Sequence, residues 1–186
     1  MAKIIGISGS LRRGSFNAAL LRASVAAAPA GTTIEVGSIR GIPLYDADLE
    51  ASDGIPAAAR ELKDQIAAAD GLLLVTPEYN NSIPGVFKNA IDWLSRPPSD
   101  APRVFNGRPV AIMGASTTRF GTLLSQTAWL PIMRTLGMRP WYGSPLYVSE
   151  AGKVFDASGD LIDPAIRERV TKFVHGFADF VEQSIR

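Results

Sequence analysis

The chain has 186 residues, enough for one well-buried domain and too few for two comfortable ones. At 46% hydrophobic, 20% charged and net charge +1 it is neither disordered nor coiled-coil, and it lacks the basic stripe of a nucleic-acid binder. It has no cysteine and one histidine, His175, which excludes disulfides, thiolate nucleophiles and iron–sulfur clusters and favours chemistry carried by a cofactor.

Strand-like and helix-like stretches alternate along the chain. Residues 3–8 form a short apolar run ending at Gly9, the pattern of a strand buried on both faces. Residues 17–28 are rich in Ala and Leu and predict a helix, stopped by Pro29 and Gly31. A second strand follows at 32–36, then a helix at 56–69, with Ala59, Leu62, Ile66 and Ala69 at helical spacing. The run Leu72-Leu73-Leu74-Val75 marks a central strand at 71–76, and residues 84–95, from Pro84 to Ser95, predict a helix. A fourth strand is expected at 109–113, and a helix at 123–137 that Pro131 bends or splits. The fifth strand, irregular, spans 139–148. In the last helix Asp163 is the N-cap, Pro164 lies in the first turn, and Ile166, Val170, Phe173, Val174, Phe177 and Val181 form one apolar stripe.

Five strands interleaved with five helices, without internal repeats, predict a doubly wound α/β domain over residues 1–186: an open parallel sheet with helices on both faces. No stretch reaches the roughly 18 apolar residues of a membrane span, and the N-terminus has no cleavage region, so a cytoplasmic protein without membrane or nucleic-acid partners is expected. Ligands of such folds sit at the carboxyl ends of the strands, which directs attention to the loops after Ser8, Thr76 and Met113.

The first loop, Gly9-Ser10-Leu11-Arg12-Arg13-Gly14-Ser15-Phe16-Asn17, joins a strand to a helix. It combines hydroxyls, an amide, two guanidinium groups and flexible glycines with the free N–H groups of a helix start, which suits a phosphate. The same residues also read as an ordinary helix cap and a solvated turn. The glycine patterns of nucleoside-triphosphate and dinucleotide loops are absent, and a thiolate phosphatase loop is excluded by composition. A mononucleotide phosphate remains, with FMN the leading candidate. The second loop, Thr76-Pro77-Glu78-Tyr79-Asn80-Asn81-Ser82-Ile83-Pro84-Gly85, offers a stiff backbone, a flat aromatic face and amides, as an isoalloxazine edge requires. It reads equally as a rigid strand-to-helix turn capped by Ser82.

Together, Gly9-Ser10-Leu11-Arg12-x-Gly14-Ser15-x-Asn17 and Pro77-Glu78-Tyr79-Asn80-x-Ser82-x-Pro84-Gly85-x-x-Lys88-Asn89-Ala90-Ile91-Asp92-Trp93 resemble the NADPH-dependent FMN reductase family over almost the whole chain. Pro43-Leu44-Tyr45-Asp46-Ala47-Asp48 resembles its quinone/chromate-reductase branch. The resemblance implies a flavodoxin-like five-stranded sheet of order 2-1-3-4-5. It implies FMN as cofactor, NADPH or NADH as reductant, and a small acceptor: a quinone first, with chromate, azo dyes or free flavin as others. It assigns Ser10, Arg12, Ser15, Phe16 and Asn17 to the phosphate loop. Pro77, Glu78, Tyr79 and Asn80 would line the flavin ring, and Ser116, in Gly114-Ala115-Ser116-Thr117-Thr118, would approach the ring and ribityl chain. Hydride would pass from NAD(P)H to the flavin and on to the acceptor without an ionisable catalytic side chain. Dimers or tetramers are also implied. On the 84–95 helix, Phe87, Ala90, Ile91 and Leu94 would pack on the sheet, while Val86 and Trp93 would face a partner subunit. A one-electron flavodoxin-type carrier is the alternative function, disfavoured by the +1 charge because such carriers are usually strongly acidic.

Overall fold

The computed structural model describes residues 1–185. The elements run β1 (Ala2–Ser8), α1 (Phe16–Ala26), β2 (Thr32–Gly37), α2 (Ala47–Asp53), α3 (Ala57–Ala67), β3 (Gly71–Val75), α4 (Gly85–Leu94) and α5 (Ala101–Phe105). They continue with β4 (Pro109–Ala115), α6 (Leu123–Thr135), β5 (Arg139–Pro140), β6 (Leu146–Val148), α7 (Ala151–Val154) and α8 (Pro164–Ile185). The strands order as β2-β1-β3-β4-β5, with β6 also paired to β4, and every pairing is parallel. The expected flavodoxin-like topology is the observed one.

Strand pleating divides the core into two layers. Ile4 and Leu73 point to the face covered by α1 and α8, where they meet Leu20, Leu21, Phe173, Phe177 and Val181. Ile5, Ile7, Leu72 and Leu74 point to the opposite face and pack with Leu62, Phe87, Ile91 and Trp129 of α3, α4 and α6. Burying each of these large side chains contributes about 1.5–3 kcal/mol. Gly9 lets α4 approach β1 closely, since a Cβ there would lie 2.1 Å from the Phe87 ring. Asp163 caps α8 as expected, accepting a hydrogen bond of 2.9 Å from the N–H of Ile166.

Three expectations are corrected. The predicted fifth strand is two segments, each paired with a different stretch of β4. Between them Trp141 turns inward against Phe173, with ring centroids 5.1 Å apart, and Gly143 and Gly176 leave room for its indole. Pro131, expected to bend or split the helix, does not split α6, which runs unbroken from Leu123 to Thr135. Pro131 and Thr127 both lie on the exposed side of the helix, where solvent can reach the carbonyl that proline leaves unpaired, while buried Trp129 and Met133 anchor the helix on either side.

The third correction concerns Trp93, expected to face a partner. It is fully buried within its own chain. Its Nε1 donates to the carbonyl of Pro43 at 2.9 Å, and its ring meets Tyr45 edge-on at 5.0 Å. Asn89 secures the same segment, accepting from the N–H of Tyr45 and donating to Pro43, each at 2.8 Å. Among the described residues, no helix is long and apolar enough to cross a membrane.

Candidate functional site: a cleft at the carboxyl edge of the sheet

β1, β3 and β4 lie side by side, so the three loops singled out from the sequence leave the sheet at one edge. They enclose a cleft of about 290 Å³. Its walls carry Ser10, Arg12, Ser15, Phe16 and Asn17 from the first loop, Pro77, Glu78 and Tyr79 from the second, and Ala115, Ser116 and Thr117 from the third. Of the residues assigned from the sequence only Asn80 is outside the lining. A larger cavity of about 510 Å³ lies between α1 and α8, away from this convergence.

The first loop presents donors. Ser15 is the N-cap of α1, its hydroxyl accepting from the N–H of Ala18 at 3.3 Å, which leaves the O–H proton to donate. The Ser10 hydroxyl likewise accepts from the N–H of Arg12 at 3.3 Å. Phe16 and Asn17 open the helix, so their N–H groups have no intrahelical partner. The Arg12 guanidinium lies 5.3 Å from the centroid of the Phe16 ring, while Arg13 lines a separate cavity on the far side of Ser15 and Phe16. Of the two neighbouring arginines, Arg12 lines the cleft.

Two assigned side chains also have structural work. The Asn17 amide donates to the carbonyl of Ala115 and accepts from its N–H, both at 2.9 Å. One N–H and one lone pair of the Asn17 amide are thereby engaged within the protein. The Glu78 carboxylate accepts from the N–H groups of Leu124 at 2.9 Å and Ser125 at 3.0 Å, capping the start of α6 from outside the helix. Asn80 and Asn81 sit at positive φ, 50° and 60°, in a turn whose flanking residues Tyr79 and Ser82 exchange two backbone hydrogen bonds. Two consecutive left-handed residues make a tight hairpin turn, which asparagine tolerates well. Asn80 thus shapes the loop that presents Tyr79, half-exposed at the rim.

Beneath the second loop lies a buried network that motif reading does not reveal. The Thr76 hydroxyl bonds the Pro77 carbonyl at 2.8 Å and Ser125 at 2.9 Å, and receives the indole N–H of Trp129 at 3.2 Å. It ties the loop to α6. Ala115 and Thr117 were also missed as lining residues. The signal was present, because extending β4 two residues past Met113 brings its end to the loop.

These features fit a mononucleotide phosphate: two hydroxyl donors, a guanidinium and two free N–H groups converge at a helix start. The comparisons with known proteins agree. The pattern of the NADPH-dependent FMN reductase family matches residues 2–152. The chain belongs to that family. It is accordingly an oxidoreductase working with FMN and a nicotinamide reductant. It is 46% identical over 168 residues to an NAD(P)H-dependent FMN reductase of Pseudomonas aeruginosa, covering 90% of this chain and 89% of that one. A 2-hydroxy-1,4-benzoquinone reductase of a Burkholderia species is 38% identical over 179 residues, 96% of each chain. Among solved structures, the flavoenzyme NAD(P)H:(acceptor) oxidoreductase FerB of Paracoccus denitrificans superposes with a TM-score of 0.87 at 30% identity, over 99% of each chain.

Proposed function

We propose that residues 1–186 form one FMN-binding domain that reduces quinones with NAD(P)H, with chromate, azo dyes and free flavin as further acceptors. The observation that carries this reading is the convergence of the three loops on one cleft with donors at one end and Tyr79 at the other. The quinone acceptor is supported by the relative named for a benzoquinone substrate. Although the family match ends at residue 152, α8 belongs to the same domain because Phe173, Phe177 and Val181 complete the core over β1 and β3.

When bound, FMN supplies a two-electron centre that receives hydride from the nicotinamide and passes it to the acceptor. The protein binds and orients. Ser10, Arg12, Ser15 and the N–H groups of Phe16 and Asn17 hold the phosphate. Pro77, Glu78, Tyr79 and Ser116 border the ring, and Asn80 fixes the turn behind it. No ionisable side chain is assigned a proton-transfer role. The reading places the enzyme in the cytoplasm, where the nicotinamide pool is available.

A second copy of the chain is proposed to cover the face shared by α4 and α6. That face holds a groove of about 280 Å³ lined by Lys88, Ile91, Pro131, Ile132 and Thr135. Sedimentation at micromolar concentration is expected to give a dimer or tetramer; a monomeric mass would remove this part of the proposal. The cofactor assignment is tested by fluorescence titration of FMN. Arg12→Ala is expected to weaken binding at least tenfold, about 1.4 kcal/mol, and Arg13→Ala to leave it near wild type. The opposite ranking would contradict the assignment.

A further inference from the structure

Three arginines border the cleft or its first loop, and a fourth lies in its third loop. Arg12 lines the cleft, Arg13 faces the cavity behind it, and Arg40 donates to the carbonyl of Leu11 at 2.8 Å. The fourth, Arg119, follows two residues after Thr117 on the opposite wall. Among the described residues it takes part in none of the ion pairs.

Arg119 and Phe120 occupy the two central positions of a turn fastened at both ends. The N–H of Gly121 donates to the carbonyl of Thr118 at 3.4 Å, and the Thr118 hydroxyl donates to the carbonyl of Gly121 at 3.3 Å. The Thr118 carbonyl also accepts from the N–H of Glu150 at 3.2 Å, and its N–H donates to Ser116 at 3.2 Å. Gly121 closes the turn at φ 61° against Tyr147, where a Cβ would be crowded at 3.1 Å. The turn therefore holds its tip out beyond the cleft, with the Phe120 side chain 75% exposed.

We propose that this turn is the adenosine arm of the reductant site, with Arg119 binding the 2′-phosphate of NADPH and Phe120 stacking on the adenine. The inference rests on the reductase reading above. With the nicotinamide over the flavin, the rest of the dinucleotide must cross the rim. NADPH and NADH differ only in the 2′-phosphate, a group of nearly two negative charges, so discrimination requires a cation outside the cleft and not engaged by the FMN phosphate. Arg13 and Arg40 also lie outside the cleft, but Arg119 is the one of the three that adjoins an exposed aromatic, Phe120, and a guanidinium fork matches phosphate geometry. An exposed aromatic beside it offers the sequence-neutral face on which a base stacks.

Calorimetry on the FMN-loaded protein tests the arm without turnover. Adenosine 2′-monophosphate is expected to bind at least tenfold more tightly than adenosine, and Arg119→Ala to abolish that margin, with Arg119→Lys restoring part of it. In coenzyme kinetics, Arg119→Ala should lower kcat/KM for NADPH at least tenfold and leave NADH unchanged, whereas Phe120→Ala should lower both by the same factor. Equal effects of Arg119→Ala on the two coenzymes, or an unaltered margin in calorimetry, would overturn the phosphate role. A Phe120→Ala protein that changes its assembly state while binding adenosine normally would overturn the stacking role by assigning Phe120 to a subunit contact. Binding of the 2′-phosphate that depends on Arg119, in a protein that oxidises neither coenzyme, would support the site and defeat the reductase reading.

Discussion

The side chain of Asn17 and the backbone of Ala115 exchange two hydrogen bonds of 2.9 Å across the floor of the cleft. The clasp joins the start of α1 to the end of β4, 98 residues apart in sequence. It fixes the helix start, and hence its free N–H groups, relative to the third loop. Asn17→Ala strands the N–H and carbonyl of Ala115 in a buried setting. It is expected to cost about 1–3 kcal/mol of stability, read by urea denaturation, and to weaken FMN binding by loosening the helix start.

Glu78 gives a second case of function through support. Thr122, the N-cap of α6, makes no side-chain cap and instead receives the Nε2 of Gln126 at 2.9 Å. Glu78 replaces the missing cap and adds a negative charge at the helix start. Glu78→Ala is expected to lower stability by about 1–2 kcal/mol, and Glu78→Gln, which keeps an acceptor oxygen, by clearly less. Thermal melts of the two variants check the order.

Much of this was legible in the sequence, for identifiable reasons. Leu72-Leu73-Leu74-Val75 and the stripe from Ile166 to Val181 declare their elements because burial periodicity is local. The phosphate loop was legible because its donors are contiguous. The roles of Asn17 and Glu78 were not, because their partners are backbone groups 98 and about 46 residues away, which no local pattern encodes. Trp93 failed for the same reason: helical spacing gives its direction, but the 43–45 segment that covers it arrives from elsewhere in the chain. The short helices α2, α5 and α7 were missed; four to seven residues offer too few turns for a periodic signal.

Gly114 lies where β4 passes under the second loop. A Cβ there would stand 2.1 Å from the Thr76 carbonyl oxygen and 2.4 Å from the Thr122 hydroxyl. The backbone oxygen cannot rotate away, so Gly114→Ala is expected to cost roughly 1–3 kcal/mol or more. Gly152→Ala is the contrast, since nothing lies within 4 Å of its added Cβ and alanine favours the helix. Unfolding free energies of the pair, from urea denaturation, should move in opposite directions or differ by at least ~1 kcal/mol.

A pH effect is expected at the far end of α3. Hydrogen bonds from Arg103 and then from Lys63 hold the Asp100 carboxyl well below the usual carboxylate range. Lys63 is almost fully buried, and its ammonium meets Asp100 at 2.8 Å. Because the folded pKa is depressed, the stabilisation is complete above the unfolded value near ~4 and is lost as pH falls through the folded value. The difference in Tm between wild type and Asp100→Asn should therefore be constant from neutrality to about pH 4 and shrink below it. A difference that grew on acidification would contradict the assignment.

The most direct test of the central claim is the visible spectrum of the FMN-loaded protein under argon, titrated first with NADPH and then with 1,4-benzoquinone. The account predicts that the oxidised flavin band bleaches with NADPH and returns in full on adding quinone. A flavin that binds in the cleft but keeps its band through a complete NADPH titration would contradict it.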